Sequence, residues 1–173
     1  IQGFFNCPVD HLFSIPSLAR AWRELYGQGD EFVCVSPDAG GVERTRAFAK
    51  RIESPIAIID KRRTGPNEAK ALHLIGEVRG KTAIILDDMI DTAGTLTQAV
   101  DSLMNNGAKK VIAVATHPVF SGPAIKRITE SQLEQVVVTD TIPLSEDARK
   151  CSKIKVITIA PVVAEAIKRI HGN

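Results

Sequence analysis

Two adjacent carboxylates and a run of small, hydroxyl-bearing residues stand close together near the middle of the chain. Asp87 and Asp88 follow the apolar run at residues 83–86, and residues 91–95 read Asp-Thr-Ala-Gly-Thr. If a helix begins at that run, its free N–H groups, two hydroxyls and one glycine form a cradle for a phosphate group. The carboxylates would repel a phosphate, so sugar hydroxyls or a bridging Mg²⁺ suit them better. The stretch therefore predicts a site for a sugar phosphate with a cis-diol, against the alternative of two solvated turn acids before a capped helix.

Three further polar segments follow apolar runs, at residues 36–41, 60–63 and 116–122. In an open α/β sheet, ligands bind outside the carboxyl ends of the strands, so each of these segments is a candidate part of one site. Asp38 suits either a metal ligand or a turn residue and helix cap. The basic run at residues 61–63 suits either a solvated loop or a loop that closes over phosphates.

The elements that would position these segments alternate along the chain. Apolar runs rich in Val, Ile and Leu are typical of strands buried on both faces of a parallel sheet. They occur at residues 32–35, 56–59, 83–86, 111–115, 136–138 and 154–159. Helical patterns fill the intervals, at residues 16–26, 42–52, 95–106, 123–131 and 162–171. This alternation predicts an α/β fold with an open parallel sheet flanked by helices, and residues 61–80 are expected to form a mobile loop and a small hairpin.

Composition limits the partners of the chain. The sequence has 173 residues, 44% of them hydrophobic, which is enough for one domain with a real core. Its formal net charge is only +2, so neither a nucleic acid nor a membrane surface is indicated as a partner. The three cysteines form no CxxC pair, which argues against a disulfide framework or a zinc site and favours a reducing, cytoplasmic compartment. Because the chain begins at Ile1, we interpret it as a piece of a longer protein.

The stretch at residues 87–95 resembles the phosphoribosyl pyrophosphate-binding motif of the type I phosphoribosyltransferase fold. The resemblance extends over nearly the whole chain to the phosphoribosyl pyrophosphate synthetases. It implies that residues 1–173 form the C-terminal, phosphoribosyltransferase-like domain of such an enzyme. A preceding N-terminal domain would then supply adenine contacts and a metal-binding histidine. The matching segments stand in the family's order, at residues 2–5, 35–41, 59–63, 87–95, 115–123 and 164–167.

The resemblance implies the transfer of a diphosphoryl group from MgATP to the 1-hydroxyl of ribose 5-phosphate, which gives phosphoribosyl pyrophosphate and AMP. Asp38 would help to hold Mg²⁺, Lys61 would be the catalytic lysine, and Arg63 would be its partner at the transferring phosphates. Such a transfer builds negative charge on phosphate oxygens, which fixed cations and a metal stabilise. A lysine supplies a compact charge, and an arginine supplies a bidentate fork.

The same resemblance assigns substrate and regulatory residues. Asp87 and Asp88 would bind the ribose hydroxyls. In some members of the family, the segment that holds Gln2 and Asp10 contributes to an allosteric phosphate or nucleotide site. The implied 5-phosphate loop consists of Asp91, Thr92, Ala93, Gly94 and Thr95.

Two other functional classes remain open from the sequence. A phosphoribosyltransferase would use the same sugar-phosphate loop, although the segments at residues 36–41 and 61–63 favour a synthetase. A non-catalytic, synthetase-associated regulatory subunit would have a damaged loop, whereas residues 91–95 are intact here. The resemblance also implies a homo-oligomer, commonly a hexamer, and poor turnover by this chain without the N-terminal domain.

Overall fold

The computed structural model describes residues 2–62 and 71–172, and the side chains of residues 61, 62, 71 and 72 lie outside that description. Within this part of the chain, seven strands form one sheet in the order β3-β2-β1-β4-β5-β6-β7, numbered along the sequence. The strands are β1 (Phe32–Ser36), β2 (Ile56–Arg62), β3 (Ala71–Ile75), β4 (Thr82–Ile90), β5 (Lys110–Pro118), β6 (Gln135–Thr139) and β7 (Ile154–Ile157). Every neighbouring pair is parallel except β2 and β3, so the predicted open parallel α/β sheet is confirmed.

Helices fill the intervals between most of the strands. The first begins with Pro16 in its first turn, where a missing N–H group costs no hydrogen bond. A short 3₁₀ turn at Gln2–Phe4 precedes it. The helices are α1 (Ile15–Tyr26), α2 (Val42–Arg51), α3 (Gly94–Asn105), α4 (Ala124–Glu130), α5 (Glu146–Lys150) and α6 (Ala160–His171).

The sheet carries a hydrophobic core on each face. On one face, Val35 and Ile85 share a buried cluster with side chains of α3 and α4. On the other face, Cys34 and Ile84 share a buried cluster with α1 and α2, where Trp22 is 2% exposed. The two sets come from alternate positions of the same strands, as the two-residue repeat of a strand requires. Burial of each large apolar side chain stabilises the fold by about 1.5–3 kcal/mol, so the sheet holds the loops at its edge in fixed positions.

The strand register brings the candidate segments to one edge of the sheet. Cys34 of β1 pairs with Ile84 of β4, and Ile84 pairs with Ile112 of β5. Because these strands are parallel, their carboxyl ends lie side by side. The segments that follow β1, β4 and β5 therefore meet at the carboxyl edge.

The structure corrects the predicted end of one strand. The apolar run predicts that β4 ends at residue 86, but β4 continues through Asp87 and Asp88 to Ile90. The physical reason is that β5 extends as well, so that Met89 pairs with His117. The acid pair therefore lies within a strand and not in the turn that follows it.

The hairpin predicted within residues 61–80 also differs from the observed one. Residues 71–75 form β3, but its partner is β2, which extends to Arg62. The backbone of Lys61 lies in β2 opposite Leu72, not on the predicted loop. The predicted mobile loop falls on residues 63–70, outside the described residues. In the ranges that are described, no helix is both long and apolar enough to span a membrane.

Candidate functional site

The acid pair at the carboxyl edge is held by an arginine from a neighbouring helix. The side chain of Asp87 is 38% exposed and that of Asp88 is 57% exposed. Arg44 of α2 places Nη1 at 3.4 Å from Asp87 Oδ1 and at 3.2 Å from Asp88 Oδ1. Each carboxylate also accepts a backbone hydrogen bond, from the N–H groups of Asp88 and Met89 respectively. Arg44 therefore joins α2 to the end of β4, a role that the sequence analysis did not assign.

The two carboxyl groups titrate as an interacting pair. Burial raises the pKa of Asp87 to about 6, and the carboxylate of Asp88 acts in the same direction. The hydrogen bond from the N–H group of Asp88 and the charge of Arg44 oppose the shift. Burial also acts against the ionised form of Asp88, but the hydrogen bond with Asp87 and the charge of Arg44 outweigh it. The pKa of Asp88 is therefore held below its ordinary value. Near pH 6 the pair carries unequal charge, because Asp87 is then partly protonated, and the more acidic Asp88 is the more exposed of the two.

The predicted phosphate loop spans the connection between β4 and α3 and the first two residues of α3. Asp91 and Thr92 are exposed, and α3 begins at Gly94. The N-cap residue Ala93 has φ 59° and ψ 9°, and its methyl group offers no acceptor to the first-turn N–H groups. Thr97 closes the first turn by donating its hydroxyl to the carbonyl of Ala93 at 3.1 Å. The loop therefore leaves N–H groups at a helix N-terminus for an anion.

A second segment of the chain holds this loop from the side. The hydroxyl of Ser121 donates to Asp91 Oδ1, and the N–H group of Ser121 donates to the Asp91 carbonyl at 3.1 Å. Arg127 of α4 donates from Nη1 to the Thr92 carbonyl at 2.9 Å. Ser121 belongs to the candidate segment at residues 116–122, where no role was predicted for it. Arg127 lies in the predicted helix at residues 123–131, outside the candidate site segments.

Asp38 forms a tight turn between β1 and α2. Its Oδ1 accepts from the N–H group of Gly41 at 2.9 Å, and its carbonyl accepts from the hydroxyl of Ser36 at 2.7 Å. The side chain is exposed beyond that contact. Within the described ranges, no three His, Cys, Asp or Glu side chains come together as a ready metal site. One exposed carboxylate nevertheless suits Mg²⁺, which commonly uses one or two carboxylates together with water and substrate phosphates.

A cavity of about 410 Å³ lies beside the acid pair. Its polar wall includes His117, whose Nδ1 lies 3.0 Å from Thr141 Oγ1. Thr116 lies next to it, with Oγ1 2.6 Å from Ser14 Oγ. The cavity gives the acid pair a concave neighbour lined by hydroxyl groups and apolar side chains.

The remaining predicted residues lie elsewhere or are not fully described. Gln2 is exposed and donates to the carbonyl of Val9 at 3.1 Å. Asp10 lines a different cavity, of about 640 Å³, between the N-terminal segment, α1 and α6. The structure therefore does not join either residue to the acid pair. The side chain of Lys61 and all of Arg63 fall outside the described part of the chain.

Comparisons with known proteins place these features in a family context. Residues 61–173 match the model of the phosphoribosyl synthetase-associated domain. The chain is 55% identical to a ribose-phosphate pyrophosphokinase of Caldanaerobacter subterraneus, over 99% of this chain and 54% of that one. It is 52% identical to a ribose-phosphate pyrophosphokinase of Clostridium acetobutylicum, over 100% of this chain and 54% of that one. The chain thus spans about half the length of the curated relatives it matches.

A solved structure resembles the fold closely. Superposition on phosphoribosylpyrophosphate synthetase from Mycobacterium smegmatis gives a TM-score of 0.89 at 40% sequence identity. The match covers 99% of this chain and 55% of that one. The predicted type I phosphoribosyltransferase-like fold is therefore confirmed.

Proposed function

The chain belongs to the phosphoribosyl synthetase-associated domain family, and on that basis we propose that it is the ribose 5-phosphate-binding half of a ribose-phosphate diphosphokinase. The proposed reaction transfers the diphosphoryl group of MgATP to the 1-hydroxyl of ribose 5-phosphate, and it gives phosphoribosyl pyrophosphate and AMP. Support comes from relatives named ribose-phosphate pyrophosphokinase at 52–55% identity. The residues 1–173 would form one domain of that enzyme.

One observation carries the proposal for this chain. A half-buried acid pair near the end of β4 and a helix N-terminus without a side-chain cap are separated by one short connection, residues 91–93. Carboxylates accept hydrogen bonds from sugar hydroxyls, and first-turn N–H groups donate to a phosphate. In the proposed complex, Asp87 and Asp88 bind the ribose hydroxyls, and the loop Asp91, Thr92, Ala93, Gly94 and Thr95 binds the 5-phosphate.

The residues that would act on the transferred diphosphoryl group are proposed to lie in the other segments at the carboxyl edge of the sheet. Asp38 would hold Mg²⁺, which supplies charge neutralisation at the transferring phosphates. Lys61 would act as the catalytic lysine and Arg63 as its partner, because the transferred group gathers negative charge that fixed cations stabilise. The backbone of Lys61 lies near the end of β2, at the carboxyl edge of the sheet, and this position supports the proposed role.

Assembly and regulation are proposed from the family alone. We propose a cytoplasmic homo-oligomer, commonly a hexamer among such enzymes. Gln2 and Asp10 are proposed to belong to an allosteric phosphate or nucleotide site. The cavity at Asp10 adjoins the one beside the acid pair and shares His11 and Leu12 with it, but the acid pair does not line it.

Calorimetric titration of ribose 5-phosphate in the presence of Mg²⁺ tests the proposed sugar-phosphate site. The titration compares the wild-type chain with the double variant Asp91→Asn, Thr95→Ala. Asp101→Asn is the control, because Asp101 is an exposed acid farther along α3. We expect the wild type and the control to bind and the double variant to lose binding. Equal binding by all three chains would show that the loop does not hold the 5-phosphate.

The alternative functions give different products. A phosphoribosyltransferase would release pyrophosphate from phosphoribosyl pyrophosphate when a nucleobase is added. A regulatory subunit would form no AMP from MgATP and ribose 5-phosphate, even when joined to the N-terminal half that its relatives contain. AMP formation by that joined protein, without release of pyrophosphate in the nucleobase assay, is the outcome that the proposed function requires.

A further inference from the structure

We propose that Ser121 and Arg127 are positioning residues that lock the phosphate loop in its ligand-binding shape. The loop is the segment Asp91 to Thr95, and the inference rests on the proposed sugar-phosphate function. Both residues come from the connection after β5 and from α4, and neither belongs to the loop itself. Their role would be to make the loop ready for the 5-phosphate before the substrate arrives.

The backbone of the loop needs support from outside. Ala93 has φ 59°, in the left-handed region that residues with a Cβ atom seldom occupy. The strained residue sits at the N-cap, so its conformation sets the direction of the first-turn N–H groups. Surrounding contacts must hold such a conformation, because an unsupported loop would relax to a commoner one.

Ser121 and Arg127 supply that support on both residues that precede Ala93. Ser121 holds Asp91 through two hydrogen bonds, one to the side chain and one to the carbonyl. Arg127 holds the next carbonyl, that of Thr92, at 2.9 Å. The N–H group of Phe120 adds a bond to the Ile90 carbonyl at 2.9 Å. Three successive residues, from Ile90 to Thr92, are thereby held by the connection after β5 and by α4.

The same contacts explain two features of the loop sequence. The first feature is Asp91, whose carboxylate accepts a hydrogen bond from the Ser121 hydroxyl. This bond ties the carboxylate to a protein donor beside the proposed phosphate position. A Cβ atom at Gly94 would lie 3.2 Å from Arg127 Nη1, so the glycine leaves room for the guanidinium group. The φ angle of Gly94 is not in the left-handed region. The glycine is therefore needed here for its small size and not for its backbone freedom.

Three variants and one matched control test the inference. They are Arg127→Met, Arg127→Lys, Ser121→Ala and the control Lys126→Met, which removes one positive charge from the same helix. Lys126 lies 4.0 Å from Glu130 and is 75% exposed. For each chain, we would measure the dissociation constant of ribose 5-phosphate by calorimetry and the hydrogen exchange of amides 91–97. Urea unfolding followed by the fluorescence of Trp22, the only tryptophan in the sequence, reports global stability.

We expect Arg127→Met and Ser121→Ala to weaken binding on the order of tenfold, since each loses a hydrogen bond that preorganises the loop. Exchange at amides 91–97 should become faster, whereas exchange in α2 stays unchanged. Arg127→Lys should restore part of the affinity, because an ammonium group can still donate to the Thr92 carbonyl. Lys126→Met should bind like the wild type.

Three outcomes would overturn the inference, and they are distinguishable. If the wild type binds ribose 5-phosphate and Arg127→Met and Ser121→Ala bind equally well, the positioning role is wrong and the proposed function stands. If the wild type itself does not bind, the proposed function of this loop fails, and the positioning role of Ser121 and Arg127 fails with it. A loss of affinity that tracks a loss of global stability, with no local change at amides 91–97, would identify an ordinary packing role and also contradict the proposal.

Discussion

At the scale of single residues, one guanidinium group balances two adjacent carboxylates. Arg44 is the third residue of α2, where a positive charge is disfavoured by the helix dipole. Its side chain lies within 3.4 Å of Asp87 and 3.2 Å of Asp88, which compensates that placement. The position of Arg44 is therefore explained by the acid pair and not by the helix that carries it.

We expect Arg44→Met to weaken the binding of ribose 5-phosphate by about tenfold, because repulsion between the two carboxylates is then unopposed and fewer ionised oxygens face the sugar hydroxyls. Global stability should fall by only about 0.2–1 kcal/mol, as for other partly exposed ion pairs. Arg44→Lys should retain part of the affinity. Calorimetry checks these values, with the exposed Arg46→Met on the same helix as the control. Unchanged affinity in Arg44→Met would contradict the role of Arg44.

The raised pKa of Asp87 has a consequence for stability. Its folded-state value of about 6 lies above the ordinary 3.8, so the folded chain holds this proton more tightly than the unfolded chain. The contribution of Asp87 to stability is therefore complete below about pH 4 and is lost as the pH rises through 6. We expect Asp87→Asn to remove that loss, so that the variant gains stability relative to the wild type between pH 4 and pH 6. Urea unfolding at several pH values measures the free energy of unfolding of both chains. A difference between them that does not change with pH would contradict the raised pKa of Asp87.

At the scale of elements, apolar periodicity predicts where strands and helices occur but not where they end. The run at residues 83–86 identifies β4, yet β4 reaches Ile90 because β5 supplies hydrogen bonds alongside it. No local property of Asp87 and Asp88 indicates that pairing. By contrast, α5 has a local signal that the analysis overlooked, since Ser145 caps it by accepting from the N–H group of Ala148 at 3.3 Å.

The turn between β1 and α2 depends on a close approach at one glycine. A Cβ atom at Gly41 would lie 2.8 Å from the hydroxyl oxygen of Ser36, which is fully buried. We expect Gly41→Ala to destabilise the fold by about 1–3 kcal/mol, as overpacking does elsewhere. The change should also release Asp38, whose Oδ1 is bonded to the N–H group of residue 41.

Gly40→Ala is the matched control for that change. A Cβ atom at Gly40 would lie 3.4 Å from Asp38 Oδ1, an ordinary contact distance. Its stability should stay within about 0.5 kcal/mol of the wild type, like most exposed substitutions. The comparison uses urea unfolding followed by the fluorescence of Trp22. Equal stability of the two variants would mean that the turn relaxes around the added methyl group.

At the scale of the whole molecule, the parallel sheet decides which distant residues meet. The sequence predicts the acid pair, the phosphate loop and Asp38 as candidate site residues, because each stands shortly after an apolar run. Arg44 and Arg127 were missed because each is one of several charged residues on a predicted helix, and nothing in the sequence distinguishes it from the others. Their partners lie 43 and 35 positions away, at Asp87 and Thr92, and only the packing of α2 and α4 brings them together.

The extent of the chain leads to a last prediction, on turnover. The proposed ribose 5-phosphate site, with Arg44, Ser121 and Arg127 as its supports, lies entirely within this chain, so binding of ribose 5-phosphate should not need further chain. The adenine contacts of such an enzyme are expected from the half of the relatives that this chain does not span. We therefore expect the 173-residue chain to bind ribose 5-phosphate but to form AMP from MgATP slowly or not at all. The full-length Caldanaerobacter relative is the positive control in that assay. Turnover by this chain at the rate of the control would show that the residues needed for ATP chemistry all lie within it.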